Sequence, residues 1–296
     1  MKFLVTGSSG LIGTQLVSDL DKINQTVYSC YSDSLPLKGI PIHLDLLNLD
    51  EITSVFEKIK PDVVIHLAAL TDVELCESNP KLAYMINTIA TEKIAKESEK
   101  HGCFLIYIST DYVFDGKNGL YDEKNSTNPL NEYAKTKLSG EKAIEGCNAK
   151  WSILRTSTPF GNHPTKKTFP KWIIENLKSK KTLNVVEDQF TSPTYVPNLS
   201  KMILEISTTN LEGLLHLSGS TRISRYEFAK LISEYLDLDI SLLKPIKMEK
   251  ISWKAKRPYD SSLDISKAIS ILKEKPYSIK NSLQEYIPEL QDSLPL

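Results

Sequence analysis

Long apolar runs are missing from this chain. No stretch approaches the roughly 18 consecutive residues that a membrane-spanning helix needs, and no internal repeat or low-complexity linker interrupts the sequence. An excess of one charge is missing too: 36 basic against 37 acidic residues leave a formal net charge of −1. That balance argues against a nucleic acid polymer or a membrane surface as the main partner. Cysteine is scarce and scattered, at Cys30, Cys76, Cys103 and Cys147. None forms a CxxC pair, so neither a zinc site nor a disulfide framework is expected, and no metal is assigned. Cys103, flanked by Phe104-Leu105-Ile106, reads as a small apolar core residue. A signal peptide does not fit, because strand-like residues and glycines follow Met1 directly, and the expected location is the cytoplasm.

What is present suits a globular protein of one large or two smaller domains: 296 residues, 41% hydrophobic and 25% charged. The opening is the first signal. Lys2-Phe3-Leu4-Val5-Thr6 is a β-like run, Gly7-Ser8-Ser9-Gly10-Leu11-Ile12-Gly13 follows, and helical periodicity continues through Leu16, Val17 and Leu20. Strand, glycine loop and helix in that order form a dinucleotide fingerprint. Gly7 permits the tight turn, Gly10 lets the backbone approach a pyrophosphate, and Gly13 lets helix and strand pack closely. The helix N-terminus offers free N–H groups and a positive dipole end to the phosphates.

Strands are predicted at Lys2–Thr6, Thr26–Cys30, Val63–Leu67, Phe104–Ser109 and Trp151–Leu154, with a short one near Pro41–Leu44. Helices are predicted around Leu11–Leu20, Ile52–Ile59, Leu82–Ser98 and Tyr133–Ile144, the second opened by the capping box Asn48-x-x-Glu51. This alternation predicts a Rossmann-type doubly wound parallel sheet covered on both faces. Ligands in such sheets sit beyond the carboxyl ends of the strands, where Gly7, Leu67-Ala68-Ala69 and Ser109-Thr110-Asp111 should gather. After Arg155 prolines recur, and Ser224-x-x-Glu227 opens a further helix through Ala229, Leu231, Ile232 and Leu236. The expected organisation is a dinucleotide-binding domain over 1–157, with returning elements around 182–218. A smaller, interleaved C-terminal α/β substrate-binding region covers 158–181 and 219–296.

Tyr133 and Lys137 lie four residues apart, one turn along one helix face. An ammonium beside a phenol should lower its pKa and make it a usable proton donor to a carbonyl under reduction. Thr110, at a strand end, could hydrogen-bond the same carbonyl oxygen, while Lys137 holds the nicotinamide ribose. Such a trio suits hydride transfer, in which the cofactor brings the hydride and the protein the orientation and the proton. His66 is expected to be buried and satisfied. Asp45 could accept a hydrogen bond from the adenine amino group or be a plain loop carboxylate. At the end of the second strand Tyr31-Ser32 stands where NAD-selective folds carry an acid, with Asp33 just beyond. NADPH is therefore at least tolerated and is taken as the expected cofactor, with NADH possible. No arginine stands nearby to hold a 2′-phosphate, so strong selectivity is not implied.

The segments TGSSGLIG, HLAALTDVE, ISTDYVFDG, NEYAKTKLSGEKA and ILRTS resemble those of the extended short-chain dehydrogenases/reductases. Within them, Ser109–Gly116, Asp188–Thr194 and Arg257–Asp264 resemble the dTDP-4-dehydrorhamnose reductase family. The resemblance implies Thr110, Tyr133 and Lys137 as the catalytic trio. It implies that Gly7, Ser9, Gly10, Leu11, Ile12, Gly13, Tyr31, Ser32, Asp45, Leu46, Leu67, Ala68, Ala69 and Thr71, with Tyr133 and Lys137, meet the cofactor. Asp111 and Tyr112 would face the sugar. Thr158 stands where the family usually shows a tryptophan, which removes an apolar plate from the sugar or nucleotide site. Three cations in four residues, Lys254-Ala255-Lys256-Arg257, point to Arg257 as a grip on a diphosphate; a solvated basic turn is the blander reading. The implied reaction reduces the C4 ketone of a nucleotide-diphospho-4-keto-6-deoxysugar, dTDP-4-dehydrorhamnose first among them. FLIYIS, DYVFDG and RP-x-x-x-x-LD-x-SK are also similar to the regulatory β subunit of methionine adenosyltransferase, an NADP-binding partner protein. That alternative, with methionine adenosyltransferase as partner, stays open, as does a homodimer.

Overall fold

The computed structural model describes residues 1–293, with side chains through residue 290. Seven parallel strands form the central sheet in the order β11-β6-β5-β4-β1-β2-β3. These are β1 Lys2–Thr6, β2 Thr26–Tyr31, β3 Ile40–His43, β4 Val63–His66, β5 Phe104–Thr110, β6 Lys150–Thr156 and β11 Gly213–His216. The chain winds outward from β1 to β3, then crosses to β4 on the other side of β1. That reversal opens a crevice at the carboxyl ends of β1 and β4, the usual ligand position in such sheets.

Alternation along each strand assigns its side chains to the two faces. Phe3, Val5, Ile65 and Ile106 pack against α1 (Leu11–Lys22) and, through Leu199, Met202 and Ile203, against the helix Val196–Thr209. Leu4, Val64, Leu105 and Ile153 face α2 (Leu49–Ile59), the helix Ala90–His101 and the helix Glu132–Glu145. With apolar cover on both sides the central strands can be hydrophobic throughout, and β4 and β5 are buried at every position. Each large side chain so buried contributes about 1.5–3 kcal/mol.

The helix expected over Leu82–Ser98 is divided. Preceded by α3 (Val73–Ser78), it runs as α4 (Pro80–Tyr84), a π-helical turn Met85–Ile89 and α5 (Ala90–His101). The widened turn sets Asn87 facing inward. Its amide oxygen accepts from the Leu70 N–H (2.8 Å), and its nitrogen donates to the Leu70 carbonyl (3.1 Å) and the Thr136 hydroxyl (3.1 Å). Such bulges cluster at functional sites; this one ties the loop after β4 to α6 (Glu132–Glu145), which carries Tyr133.

The second half builds its own core. Short ladders pair β7 (Pro159–Phe160) with β10 (Thr194–Tyr195), β8 (Leu183–Val186) with β13 (Leu243–Ile246), and β9 (Phe190–Thr191) with β12 (Ile223–Ser224). Around them α7 (Phe169–Lys178), α9 (Arg225–Tyr235) and α11 (Ile279–Ser293) bury Phe160, Ile173, Phe228 and Tyr286 together. Residues 183–186 therefore stay with this second core, whereas α8 (Val196–Thr209) and β11 return to the central sheet. A short α10 (Ser266–Ile271) packs against β11 from the chain's end. The N-cap half of each expected capping box forms: Asn48 accepts from the Glu51 N–H, and Ser224 from the Glu227 N–H at 3.1 Å. The Glu51 carboxylate accepts from the Asn48 side-chain amide and the Asp45 N–H instead of the Asn48 N–H.

Candidate active site

The loop after β1 has the shape a pyrophosphate site requires. Gly7 adopts φ +67°, and a Cβ there would lie 2.8 Å from the Ala68 nitrogen. A Cβ on Gly13 would lie 2.3 Å from the Gly7 carbonyl oxygen, so helix and loop approach only because that carbon is missing. Gly7, Ser9, Gly10, Leu11, Ile12 and Gly13 line one wall of a cavity of about 730 Å³, and Leu67, Ala68, Ala69 and Thr71 line another. A smaller annex of about 250 Å³ is bordered by Tyr31, Ser32, Asp45 and Leu46. Asp45 already accepts from the Leu47 N–H at 2.9 Å, which orients its carboxylate. The annex is of a size for an adenine and the main cavity for the remainder of a dinucleotide, so the residues present fit such a group.

Thr110, Asp111, Tyr112, Tyr133 and Thr158 close the far end of the main cavity. Asn131 caps α6, accepting from the Ala134 N–H at 2.9 Å, and so aims Tyr133 at the end of β5. Thr110 lines the cavity beside Tyr133; its hydroxyl accepts from the Tyr112 N–H at 3.2 Å and donates to Asp111 at 3.1 Å. Thr110 is therefore a turn cap that also stands on the same cavity wall as the tyrosine. Asp111 is buried and takes hydroxyl bonds from Ser157 (2.7 Å) and Ser261 (2.5 Å). Burial raises its pKa above the ordinary carboxylate value despite these donors.

The expected electrostatics of the Tyr133–Lys137 pair is not what the fold creates. Burial raises the Tyr133 phenol well above its ordinary value, with Thr110 the main opposing influence. Lys137 lies 3% exposed beneath the site, outside the cavity wall, and donates to the Ile108 carbonyl at 2.7 Å. Its ammonium sits 4.0 Å over the Tyr107 ring. Desolvation pulls it down to about 7, with Glu141 pulling the other way. Burial of the phenol outweighs what the ammonium could contribute, so four-residue spacing alone does not lower the tyrosine's pKa. Glu141 is itself clamped by Arg155, at 3.0 and 2.6 Å, and by the Ser109 hydroxyl.

His66 is fully buried, its ring nitrogens 2.7 Å from the Thr6 hydroxyl and 3.0 Å from the Thr91 hydroxyl. Burial holds it neutral, at about 3. Thr158 sits at φ +42°, a left-handed conformation that a β-branched residue rarely adopts.

Arg257 is not a solvated cation. Its Nη2 pairs with Glu74 at 2.9 Å, and its guanidinium lies 5.3 Å from the Trp253 ring. It borders a side cavity of about 250 Å³ with Trp172, Trp253, Gln189 and Arg225. Tyr112, Phe169 and Arg225 line both this slot and the main cavity, so the two are continuous. Arg225, Phe169, Trp172, Gln189 and Trp253 are not among the expected site residues, although Gln189 lies in the Asp188–Thr194 segment that carries the family resemblance. No spacing joins them, since they come from α7, α9 and two loops that only the tertiary fold assembles.

A parallel sheet with this crossover, a glycine loop on its first turn and a Tyr-x-x-x-Lys helix at its edge define an extended short-chain dehydrogenase/reductase. Residues 1–292 match the family described as RmlD substrate binding domain, and the chain belongs to that family. It is 32% identical over 296 residues to methionine adenosyltransferase 2 subunit beta of Xenopus tropicalis, covering 96% of this chain and 87% of that protein. It is 30% identical over 278 residues to the dTDP-4-dehydrorhamnose reductase of Aggregatibacter actinomycetemcomitans, covering 90% of this chain and 91% of that one. The structure is similar to that of dTDP-4-dehydrorhamnose reductase from Bacillus anthracis in complex with NADP, with a TM-score of 0.89 and 32% identity. That likeness covers 97% of this chain and 99% of the other.

Proposed function

We propose that this chain is an NAD(P)H-dependent reductase acting on the C4 ketone of a nucleotide-diphospho-4-keto-6-deoxysugar, with dTDP-4-dehydrorhamnose as its first-choice substrate and dTDP-rhamnose as product. The observation that carries this reading is the pairing of Thr110 with Tyr133 on the wall of one space that opens, past Tyr112, Phe169 and Arg225, into a second. One is the dinucleotide-sized cavity; the other is an aromatic slot bearing two arginines. A nicotinamide cofactor, when bound, supplies the hydride. Tyr133 then stands to protonate the carbonyl oxygen, and Thr110 to hold that oxygen by its hydroxyl. Lys137, fixed by Ile108, supports the cofactor side of the tyrosine helix. Trp172, Trp253 and Phe169 offer flat apolar surface for a base, and Arg225 and Arg257 offer guanidinium groups for a diphosphate. Phe169, Trp172 and Trp253 supply aromatic surface in a site where Thr158 does not. We assign 1–157 with α8 and β11 to the cofactor unit and the remainder to the substrate unit. We place the protein in the cytoplasm; among the described residues no helix is long and apolar enough to cross a membrane.

The likeness to methionine adenosyltransferase 2 subunit beta favours a second reading, a cofactor-binding regulatory partner of that enzyme. One experiment separates the two. A panel of dTDP-, UDP- and GDP-4-keto-6-deoxysugars is offered with NADPH, and cofactor oxidation is followed. Turnover of one nucleotide class supports the reductase; no turnover, with stable co-purification of a methionine adenosyltransferase, replaces it with the regulatory subunit.

A further inference from the structure

Beyond β7 the chain turns back across the glycine-rich loop, and His163 makes the junction. The ring is buried, 6% exposed. Its Nδ1 accepts from the Thr165 N–H at 3.2 Å and the Lys166 N–H at 3.0 Å. Its Nε2 lies 3.2 Å from the Ser9 carbonyl oxygen and 3.3 Å from the Thr14 hydroxyl. Two N–H donors pointing at Nδ1 leave no room for a proton there, so the proton resides on Nε2 and is donated to Ser9. One neutral imidazole thus holds a turn of the second half on the loop that the first half offers to a pyrophosphate.

Charge gives this junction a purpose. Residues 7–13 contain no lysine or arginine. The N-terminus of α1 supplies about half a positive charge, against the two negative charges of a pyrophosphate. Thr165, Lys166 and Lys167 line the same cavity as Ser9, Gly10 and Leu11. Lys167 is engaged by Glu175 at 3.1 Å, whereas Lys166 has no such ion pair among the described residues.

We propose that His163 is a positioning residue of the cofactor site: it clasps the Thr165–Lys167 turn onto the glycine-rich loop and thereby holds Lys166 against the cofactor's pyrophosphate. The inference rests on the cofactor reading above but not on the sugar. Because both nicotinamide cofactors share the pyrophosphate, the clasp acts on them equally.

The test is direct fluorescence titration of NADH and of NADPH into the full chain, with no sugar present. Lys166→Ala should raise Kd for both cofactors by about fivefold or more, while Lys166→Arg, which keeps the charge, should stay within about twofold of the wild type. His163→Asn keeps an acceptor for the turn but is too short to reach Ser9. It should raise both Kd values by about tenfold and speed amide exchange at Thr165 and Lys166, with the melting temperature little changed. Unaltered Kd values in Lys166→Ala overturn the proposal. A loss confined to NADPH also overturns it, by moving Lys166 to the 2′-phosphate. If His163→Asn does not fold, the two Lys166 variants, exposed and independent of the core, decide. A wild-type chain that binds neither cofactor sinks the proposal together with the cofactor reading, whereas binding without sugar turnover leaves the clasp standing and removes only the reductase.

Discussion

Lys137 and Ile108 are joined by a 2.7 Å hydrogen bond from the buried ammonium to a main-chain carbonyl of β5. This bond settles how the lysine is anchored: to the central sheet, at the residue before Ser109 and Thr110, which end β5. Desolvation at that depth brings Lys137 down to about 7 from 10.5, and a stability effect follows. Between those two values the unfolded chain holds a proton that the folded chain lacks, so stability rises with pH across the window. The cost of burying the charge is complete below about pH 7 and gone above about pH 10.5. Lys137→Met removes that cost. Its stability relative to the wild type should be most favourable near pH 6–7 and decline steadily towards pH 10, as measured by urea unfolding without cofactor. A difference independent of pH would show that Lys137 is not desolvated as described.

Tyr133→Phe deletes the hydroxyl that stands with Thr110 on the cavity wall. Turnover should fall by at least the roughly 10²-fold typical of losing a general acid. The ring stays in place beside Tyr112, with centroids 6.3 Å apart, so cofactor affinity should change little. Full activity in the Phe variant removes Tyr133 from the chemistry.

Both cofactors should bind, NADPH at least as well as NADH. Tyr31-Ser32 supplies no carboxylate to repel a 2′-phosphate, and Asp33 is engaged by the Ser32 hydroxyl at 3.0 Å. Titration of each reduced cofactor by fluorescence checks this. An NADH preference above ~10-fold, about 1.4 kcal/mol, would mean that Asp33 turns to the ribose after all.

Arg225→Ala and Arg257→Ala should each raise KM for the nucleotide sugar by about 10-fold or more, in line with the ~1.5–3 kcal/mol of a charge-assisted hydrogen bond. Cofactor Kd should be unaffected in both. Arg225 borders both cavities, whereas Arg257 is shared with Glu74. Should only Arg225 prove sensitive, Arg257 is a strut between α3 and the second half, and the diphosphate lies on Arg225.

Arg155→Met leaves Glu141 buried beside Lys137 without its bidentate partner. Breaking a buried pair on one side costs about 3–5 kcal/mol, which denaturant unfolding would register as a lower midpoint. A shift under about 1 kcal/mol would show that Ser109 and Lys137 compensate the carboxylate.

Much of the molecule could be read along the chain because the signals are local. The apolar run of β1, the glycines at 7, 10 and 13, and caps such as Asn48 and Ser224 act over a few neighbouring residues, and they produce the sheet, the first turn and the helix starts wherever the rest of the chain goes. The seating of Tyr133 beside Thr110 also follows, since one ends a strand and the other begins a helix of the same repeating unit. Three matters waited for the tertiary structure. The interruption at Met85–Ile89 exists because Asn87 must reach Leu70 and Thr136, partners 17 and 49 residues away. The charge state of Lys137 depends on how completely neighbouring elements exclude water, which periodicity does not encode. The slot of Phe169, Trp172, Trp253, Arg225 and Arg257 is drawn from segments far apart in the chain, brought together only when the second core closes on the edge of the sheet. Hydrogen bonds between near neighbours are written in sequence order; desolvation and long-range convergence belong to the packed fold alone.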